Sequence, residues 1–415
     1  MPLPAEGTDA AAVLHELAAM KERDVRWRDG RAFTLAYYAG PEAQAVSEEA
    51  YRAYATENAL NTDAFPSLRR IQAEVVEIVT GWLGGDAQSA GFMTSGGTES
   101  LLLTVKAARE RGRRERGVER PNVVLPTSAH AAFEKGCAYF GVESRRIPVG
   151  SDWRADPDAM HDAIDDDTVL VVGSAPQYPQ GVIDPIPAIA ALATERSINC
   201  HVDACMGGVT LTYLARLGHE VPPWNLSVDG VTSISVDLHK YGYTAKGAGV
   251  LLHRSKQLRA DQTFVTDNWL GGLYGSSGIL GTKSGGSMAA AWAVLHHLGD
   301  AGYLRLTAAA RRAADALVAE LRTIPELVLR ADPDATLIAF GAADPARLDV
   351  FAVADALWRR GWYLDRQGPP ASLHCTVNAV HDGLIPRFVD DLRASIAEVL
   401  AAAATGAAGA YGTVD

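Results

Sequence analysis

Three short segments carry residue types able to do chemistry together. The last of them, Ser233-Ile234-Ser235-Val236-Asp237-Leu238-His239-Lys240-Tyr241-Gly242, puts a lysine directly after an apolar run. A lysine at the end of a buried strand is costly unless it is partnered or modified. Burial lowers its pKa and makes the amine nucleophilic toward an aldehyde. Upstream, His201-Val202-Asp203-Ala204-Cys205 ends a second apolar run with an aspartate. A carboxylate leaving the C-terminal edge of a parallel sheet points into the usual ligand crevice. There it can pair with a pyridinium nitrogen and keep it protonated, which makes the ring an electron sink. Further upstream lies Thr94-Ser95-Gly96-Gly97-Thr98-Glu99-Ser100, followed by the helical run Leu101 to Arg111. Glycines let backbone approach an anion, a helix N-terminus offers free N–H groups, and the Ser95 and Thr98 hydroxyls add donors. Each segment has an ordinary reading as well: a snorkelling lysine, an aspartate capping a turn, a glycine-rich helix start. His201 and Asp203 also suit a metal, but no third ligand stands at sensible spacing.

The elements that must position these residues read as alternating short strands and helices. Residues 8 to 60 read as helices around an irregular segment from Phe33 to Pro41. An amphipathic helix runs from about Ser67 to Leu83 and stops at Gly84-Gly85. Apolar runs follow at Val123 to Leu125, Val169 to Val172, Cys200 to Val202, Val231 to Val236 and Val250 to Leu252. Such runs separated by helical patterns predict buried parallel strands joined by crossovers, hence an α/β domain. A helix from Tyr303 to Arg322 leads to a small α+β unit. Its strands are expected near Thr336 to Phe340 and Leu373 to Val377, its helices near Val350 to Arg360 and Pro386 to Ala402. The division is an N-terminal helical segment (1–60), a large cofactor-binding domain (61–300), a small C-terminal domain (301–402) and a flexible Ala- and Gly-rich tail (403–415).

Composition narrows the classes. The 415 residues carry a net charge of −12, against non-specific nucleic-acid binding and against anionic membranes. Four cysteines form no CxxC pair, which predicts reduced thiols in a cytoplasmic protein. No stretch of roughly 18 apolar residues predicts a membrane span.

Phosphate loop, strand-end Asp and strand-end His-Lys, in that order, is the layout of the aspartate-aminotransferase type (fold type I) of pyridoxal-phosphate (PLP) enzyme. From about Phe33 to His381 the chain resembles the sphingosine-1-phosphate lyases, within the group II PLP-dependent decarboxylase superfamily. The resemblance rests on Asp63 to Arg69, the loop Thr94 to Ser100, and His130-Ala131-Ala132-Phe133-Glu134-Lys135. It continues through Gly173-Ser174-Ala175-Pro176, Gly181 to Ile186, His201 to Gly208, His239 to Gly247 and Gly281 to Gly286. The resemblance implies a mainly parallel large-domain sheet, a small α+β domain and PLP as cofactor. It makes Lys240 the Schiff-base lysine, Asp203 the pyridinium partner, His130 the ring-stacking histidine and Ala204 a residue packed beneath the ring. Ser95, Gly96, Gly97 and Thr98 would cradle the cofactor phosphate with His239 beside them. Thr282 stands where the lyases have a serine that reaches the phosphate from the partner subunit, which implies a homodimer with shared active sites. Tyr38 and Lys246 resemble residues that recognise the substrate phosphate or assist cleavage, and Tyr178 and Gln180 fall on the substrate side.

The activity implied is retro-aldol cleavage of a phosphorylated sphingoid base, or a similar β-hydroxy amine, to an aldehyde and phosphoethanolamine. Lys240, Lys246, Tyr38 and His201 are candidates to move the protons. The sequence departs from the lyases at Leu238 and Ala245, which replace a small polar residue and a proline, and over Tyr363 to Pro370. Within that last segment Arg366 is a candidate carboxylate fork. If it faces the pocket, the substrate is an amino acid, decarboxylated or cleaved at a β-hydroxyl on the same cofactor. A third class, a cofactor-binding regulator without turnover, conflicts with the intact Lys240, Asp203 and His130.

Overall fold

A computed structural model of the chain describes residues 3–409. Seven strands form the main sheet: β1 (Ala90–Thr94), β2 (Asn122–Pro126), β3 (Glu143–Ile147), β4 (Thr168–Ser174), β5 (Asn199–Asp203), β6 (Ser233–Asp237) and β7 (Gly249–His253). Their spatial order is β1-β7-β6-β5-β4-β2-β3. Only β7 runs against the others, pairing antiparallel with both β1 and β6. β2, β4, β5 and β6 are buried along their whole length, as strands covered by helices on both faces must be.

The helix Pro66–Trp82 buries Leu68, Ile71, Val75, Val79 and Trp82, a stripe spaced by three and four, on the face expected of an amphipathic helix. Residues 32–40 contain no helix, but a bridge between Ala32 and Tyr363 ties this segment to the small unit. There Phe33 stacks on His381 with ring centroids 4.2 Å apart. The helix expected from Tyr303 is the second half of Gly286–Leu321, whose two parts meet at Gly299, with φ 54° and ψ −177°. A left-handed glycine turns the chain there without the cost a side chain would add.

A two-stranded antiparallel sheet, β8 (Phe264–Thr266) and β9 (Tyr274–Ser276), follows β7 in the chain. The small unit holds four antiparallel strands: β10 (Leu327–Leu329), β11 (Leu337–Ala342), β12 (Asp365–Gln367) and β13 (Ser372–Thr376), in the order β10-β11-β13-β12. The helices Val350–Arg359 and Ile385–Ala402 pack on it. Beyond them the chain stays docked: the Gly406 N–H donates to Asp349 Oδ2 at 2.9 Å and Arg366 Nη1 donates to the Ala407 carbonyl at 2.5 Å. Of the tail read as flexible, residues 410–415 lie outside the described residues.

Candidate active site

The C-terminal ends of β5 and β6 lie side by side, and the reactive side chains gather there. Asp203 ends β5 and Asp237 ends β6. Across β7, Gly249 is paired with both Asp237 and Thr94. A Cβ on Gly249 would stand 2.8 Å from Asp237 Oδ1, Thr94 Oγ1 and Gly96 Cα, so a glycine here lets the loop 95–98 fold over the sheet edge. That loop opens the helix Gly97–Arg116, with Gly96 at φ 134°. Glu99 anchors it: Oε2 accepts the Ser95 N–H at 2.6 Å, and Oε1 accepts the Ile279 N–H at 2.7 Å.

The cavity so enclosed, about 240 Å³, is lined by the loop 95–98, His130, Asp203, Asp237, His239 and Lys240, among others. Lys240 Nζ stands 3.1 Å from Asp237 Oδ2. Asp203 Oδ1 accepts the Cys205 N–H at 3.1 Å. Burial alone would raise the Asp203 carboxyl; His130, Cys205 and Lys240 outweigh it and hold the group below the usual carboxylate range. Burial lowers the His130 imidazole despite the pull of Asp203. His130 Nδ1 accepts the Ala132 N–H at 3.0 Å, which assigns the ring proton to Nε2. The cavity thus offers an ionised carboxylate at one wall, a helix N-terminus that accepts anions at another, and an amine between residues of both.

A second cleft of about 600 Å³ adjoins it, sharing His239 and lined by Trp27, Leu35, Tyr37, Lys246, Trp358 and Tyr363 among others. Lys246 Nζ donates to the His239 carbonyl at 3.3 Å and lies 5.0 Å from the centre of the Tyr37 ring. Burial first, and then Lys240, lower its ammonium to about 8.

Several expected site residues stand elsewhere. His201 is fully buried beneath the cavity, its Nδ1 2.9 Å from Ser233 Oγ and its Nε2 3.2 Å from Ser235 Oγ. Burial pushes it down to about 3, so it is a neutral core residue and no base for substrate. Ala204 points into the core; the residue after β5 that shares Asp203's side is Cys205, two positions on, and it lines the cavity with Met206. Strand alternation carries that signal. Tyr38 packs edge-on against Trp27 and is not among the residues lining the cleft; its neighbour Tyr37 is, with its hydroxyl 3.8 Å from Met206 Sδ.

Gln180 turns inward, accepting from Gln177 Nε2 at 2.8 Å. Tyr178 does line the cavity, stacks on His374 and donates to Asp365 Oδ2 at 2.6 Å. Arg366 is no open fork: one guanidinium nitrogen holds Asp355 and another the Ala407 carbonyl. Thr282 is exposed and outside this chain's cavity. Asp237, Glu99 and Cys205 were not singled out by sequence reasoning, although Asp237 sits three residues before Lys240 at the end of an all-buried strand.

Residues 5–343 match the pyridoxal-dependent decarboxylase conserved domain. The chain is a PLP-dependent enzyme, and its residues fit that cofactor: a carboxylate kept ionised for a ring nitrogen, a loop where a Cβ on Gly97 would fall 2.9 Å from Cys205 Sγ, and a lysine in the same cavity. Among curated relatives, the sphingosine-1-phosphate lyase 1 of Rattus norvegicus is 38% identical over 99% of this chain and 72% of its own length. The lyase of Arabidopsis thaliana is 38% identical over 96% and 74%. The solved structure of the Burkholderia pseudomallei sphingosine-1-phosphate lyase superposes with a TM-score of 0.92 at 37% identity, covering 97% of this chain and 94% of that one. The chain belongs to the sphingosine-1-phosphate lyase family. A Lactobacillus brevis glutamate decarboxylase, 21% identical with a TM-score of 0.84, shares the fold.

Proposed function

We propose that this enzyme cleaves the Cα–Cβ bond of a phosphorylated sphingoid base, releasing a long-chain aldehyde and phosphoethanolamine. The observation that carries the reading is the adjacency of the two cavities: a polar chamber holding Lys240 and Asp203 shares His239 with an aromatic cleft whose cation is Lys246. Aromatic and aliphatic walls suit a long chain, and the lysine suits the substrate phosphate. PLP, when bound, supplies an electron sink for the bond broken at Cα. Lys240 would hold the cofactor covalently and, once the substrate amine displaces it, its amine would move a proton at the substrate Cα. Asp203 would keep the ring nitrogen protonated, His130 would cover the ring, and Ser95, Gly96, Gly97, Thr98 and His239 would hold the phosphate. Decarboxylation of an amino acid would need a cation free to grip its carboxylate, and Arg366 is occupied by Asp355. Titration of the loaded enzyme with each amine tests the choice: a phosphorylated sphingoid base is expected to change the cofactor's absorption at micromolar concentration, and L-amino acids to leave it unchanged. The reverse would overturn the reading.

The Lys246 ammonium sets a pH dependence. An ordinary lysine stays charged to about pH 10; this one loses its charge as pH rises through about 8. The KM for a phosphorylated substrate is therefore expected to climb between pH 7 and 9. Lys246→Arg, which keeps its charge, should flatten that rise, whereas Lys246→Gln should raise KM roughly tenfold at pH 7, the loss of one charge-assisted hydrogen bond. A profile equally steep in Lys246→Arg would assign the dependence to another group.

The same reading makes the enzyme a homodimer. The β8–β9 region exposes Phe264, Val265, Trp269, Leu270, Leu273 and Ile279, apolar side chains that a partner subunit would cover, and it leads to Thr282. We place Thr282 in the partner's phosphate site and the partner's Thr282 in this one. Leu270→Glu changes a fully exposed side chain, so it should spare the fold while splitting the dimer and lowering kcat at least tenfold. Light scattering alongside the assay checks it; an active wild-type monomer would exclude shared sites. Four buried, unpaired cysteines support a reducing, cytoplasmic setting.

A further inference from the structure

Asp237 has no part in the reaction above, yet its side chain is only 2% exposed. Oδ2 faces Lys240 Nζ at 3.1 Å, while Oδ1 is buried with no hydrogen-bond partner among the described residues. The carboxylate also abuts the glycine loop, since a Cβ on Gly97 would come within 3.0 Å of Oδ2. A phosphate held by that loop therefore arrives against a second anion, and two adjacent buried anions disfavour each other's charge. The groups facing Asp237 are Lys240, His239 and Lys246 from its own segment, Asp203 and Cys205 from the end of β5, and His130 from the loop after β2. Glu99, from the helix behind the loop, has both oxygens engaged by the Ser95 and Ile279 N–H groups. The contact with Lys240 is an ion pair only while that nitrogen carries its extra proton.

We propose that Asp237 is the counter-ion that holds Lys240 as an ammonium before the cofactor enters. Loading then draws one proton onto Asp237, whose acid form donates a hydrogen bond to the cofactor phosphate. The atoms balance. The Lys240 ammonium and the cofactor aldehyde form a carbon–nitrogen double bond; two ammonium protons leave with the aldehyde oxygen as water, and the third stays on nitrogen. That condensation neither takes up nor releases a proton, so the proton on Asp237 comes from solvent. A phosphate monoester is already a dianion at pH 8, its second pKa being about 6.

The inference rests on the assignment of the phosphate to the loop 95–98, and the test separates the two. Cofactor-free wild type, Asp237→Asn and Thr98→Ala are titrated calorimetrically with PLP and with pyridoxal, which lacks the phosphate. Each titration is run at pH 8 in two buffers of different ionisation enthalpy. Wild type is expected to take up about one proton more with PLP than with pyridoxal, a result that needs no variant. In Asp237→Asn, where the amide donates without a proton, this excess should vanish. Between pH 7.5 and 9 the wild-type Kd for PLP should rise by up to about tenfold per pH unit relative to the variant, the slope of one linked proton. Equal proton uptake by wild type and Asp237→Asn, or parallel slopes with uniformly weaker variant binding, would reduce Asp237 to a structural role. Thr98→Ala should lose much of the preference for PLP over pyridoxal. If it keeps that preference, the loop assignment falls and takes the proposal with it.

Discussion

Lys240→Ala is expected to fold, to bind PLP without a covalent link, and to lose turnover by at least about 10³-fold, within the range that a group acting in both covalent and proton-transfer roles supplies. The side chain lies at the cavity wall, and the partner it leaves behind is Asp237. The stability cost is therefore that of one less satisfied buried carboxylate, about 1–3 kcal/mol, which a domain of this size withstands. Borohydride reduction followed by peptide mass spectrometry gives the cleanest measurement. The cofactor mass should be fixed to the peptide carrying Lys240 in wild type and absent from the variant. A variant that keeps its rate within tenfold, or a label on Lys246, would move the covalent role to another amine.

Asp203→Asn should give the second largest effect, and of a different kind. The native carboxylate is kept ionised by His130, Cys205 and Lys240 against the pull of burial, so it can hold a protonated ring nitrogen. An amide of the same shape can accept or donate a hydrogen bond but supplies no charge. Covalent attachment through Lys240 should survive, while kcat falls by about 10²–10³, the scale of losing one preorganised electrostatic contact. Cofactor content and kcat measured on one preparation separate the two effects. Loss of cofactor with an unchanged rate per bound cofactor would make Asp203 an anchor and not an activator.

What the sequence made legible was local. The helix Pro66–Trp82 shows in its apolar stripe, and Asp203 and Lys240 show because one ends and the other lies three residues beyond a run that reads as a buried strand. The errors are errors of facing. Cys205, not Ala204, shares Asp203's side, and Tyr37, not Tyr38, reaches the cleft. Strand phase decides the first; the bridge at Ala32, which no local pattern announces, helps set the second. The engagement of Arg366 depends on partners 11 and 41 residues away, beyond any short-range rule. β3, with the sequence Glu-Ser-Arg-Arg-Ile, went unread because an edge strand need not be apolar. Its Arg146 serves instead to pair with Glu134 beneath the His130 loop.

The central claim is that this site breaks Cα–Cβ in a phosphorylated sphingoid base, and the products decide it. Mass spectrometry after incubating cofactor-loaded enzyme with that substrate should find long-chain aldehyde and phosphoethanolamine in equal amounts, and neither with Lys240→Ala. A folded, cofactor-bound wild type that leaves the substrate intact, while releasing carbon dioxide from an amino acid, would contradict the account.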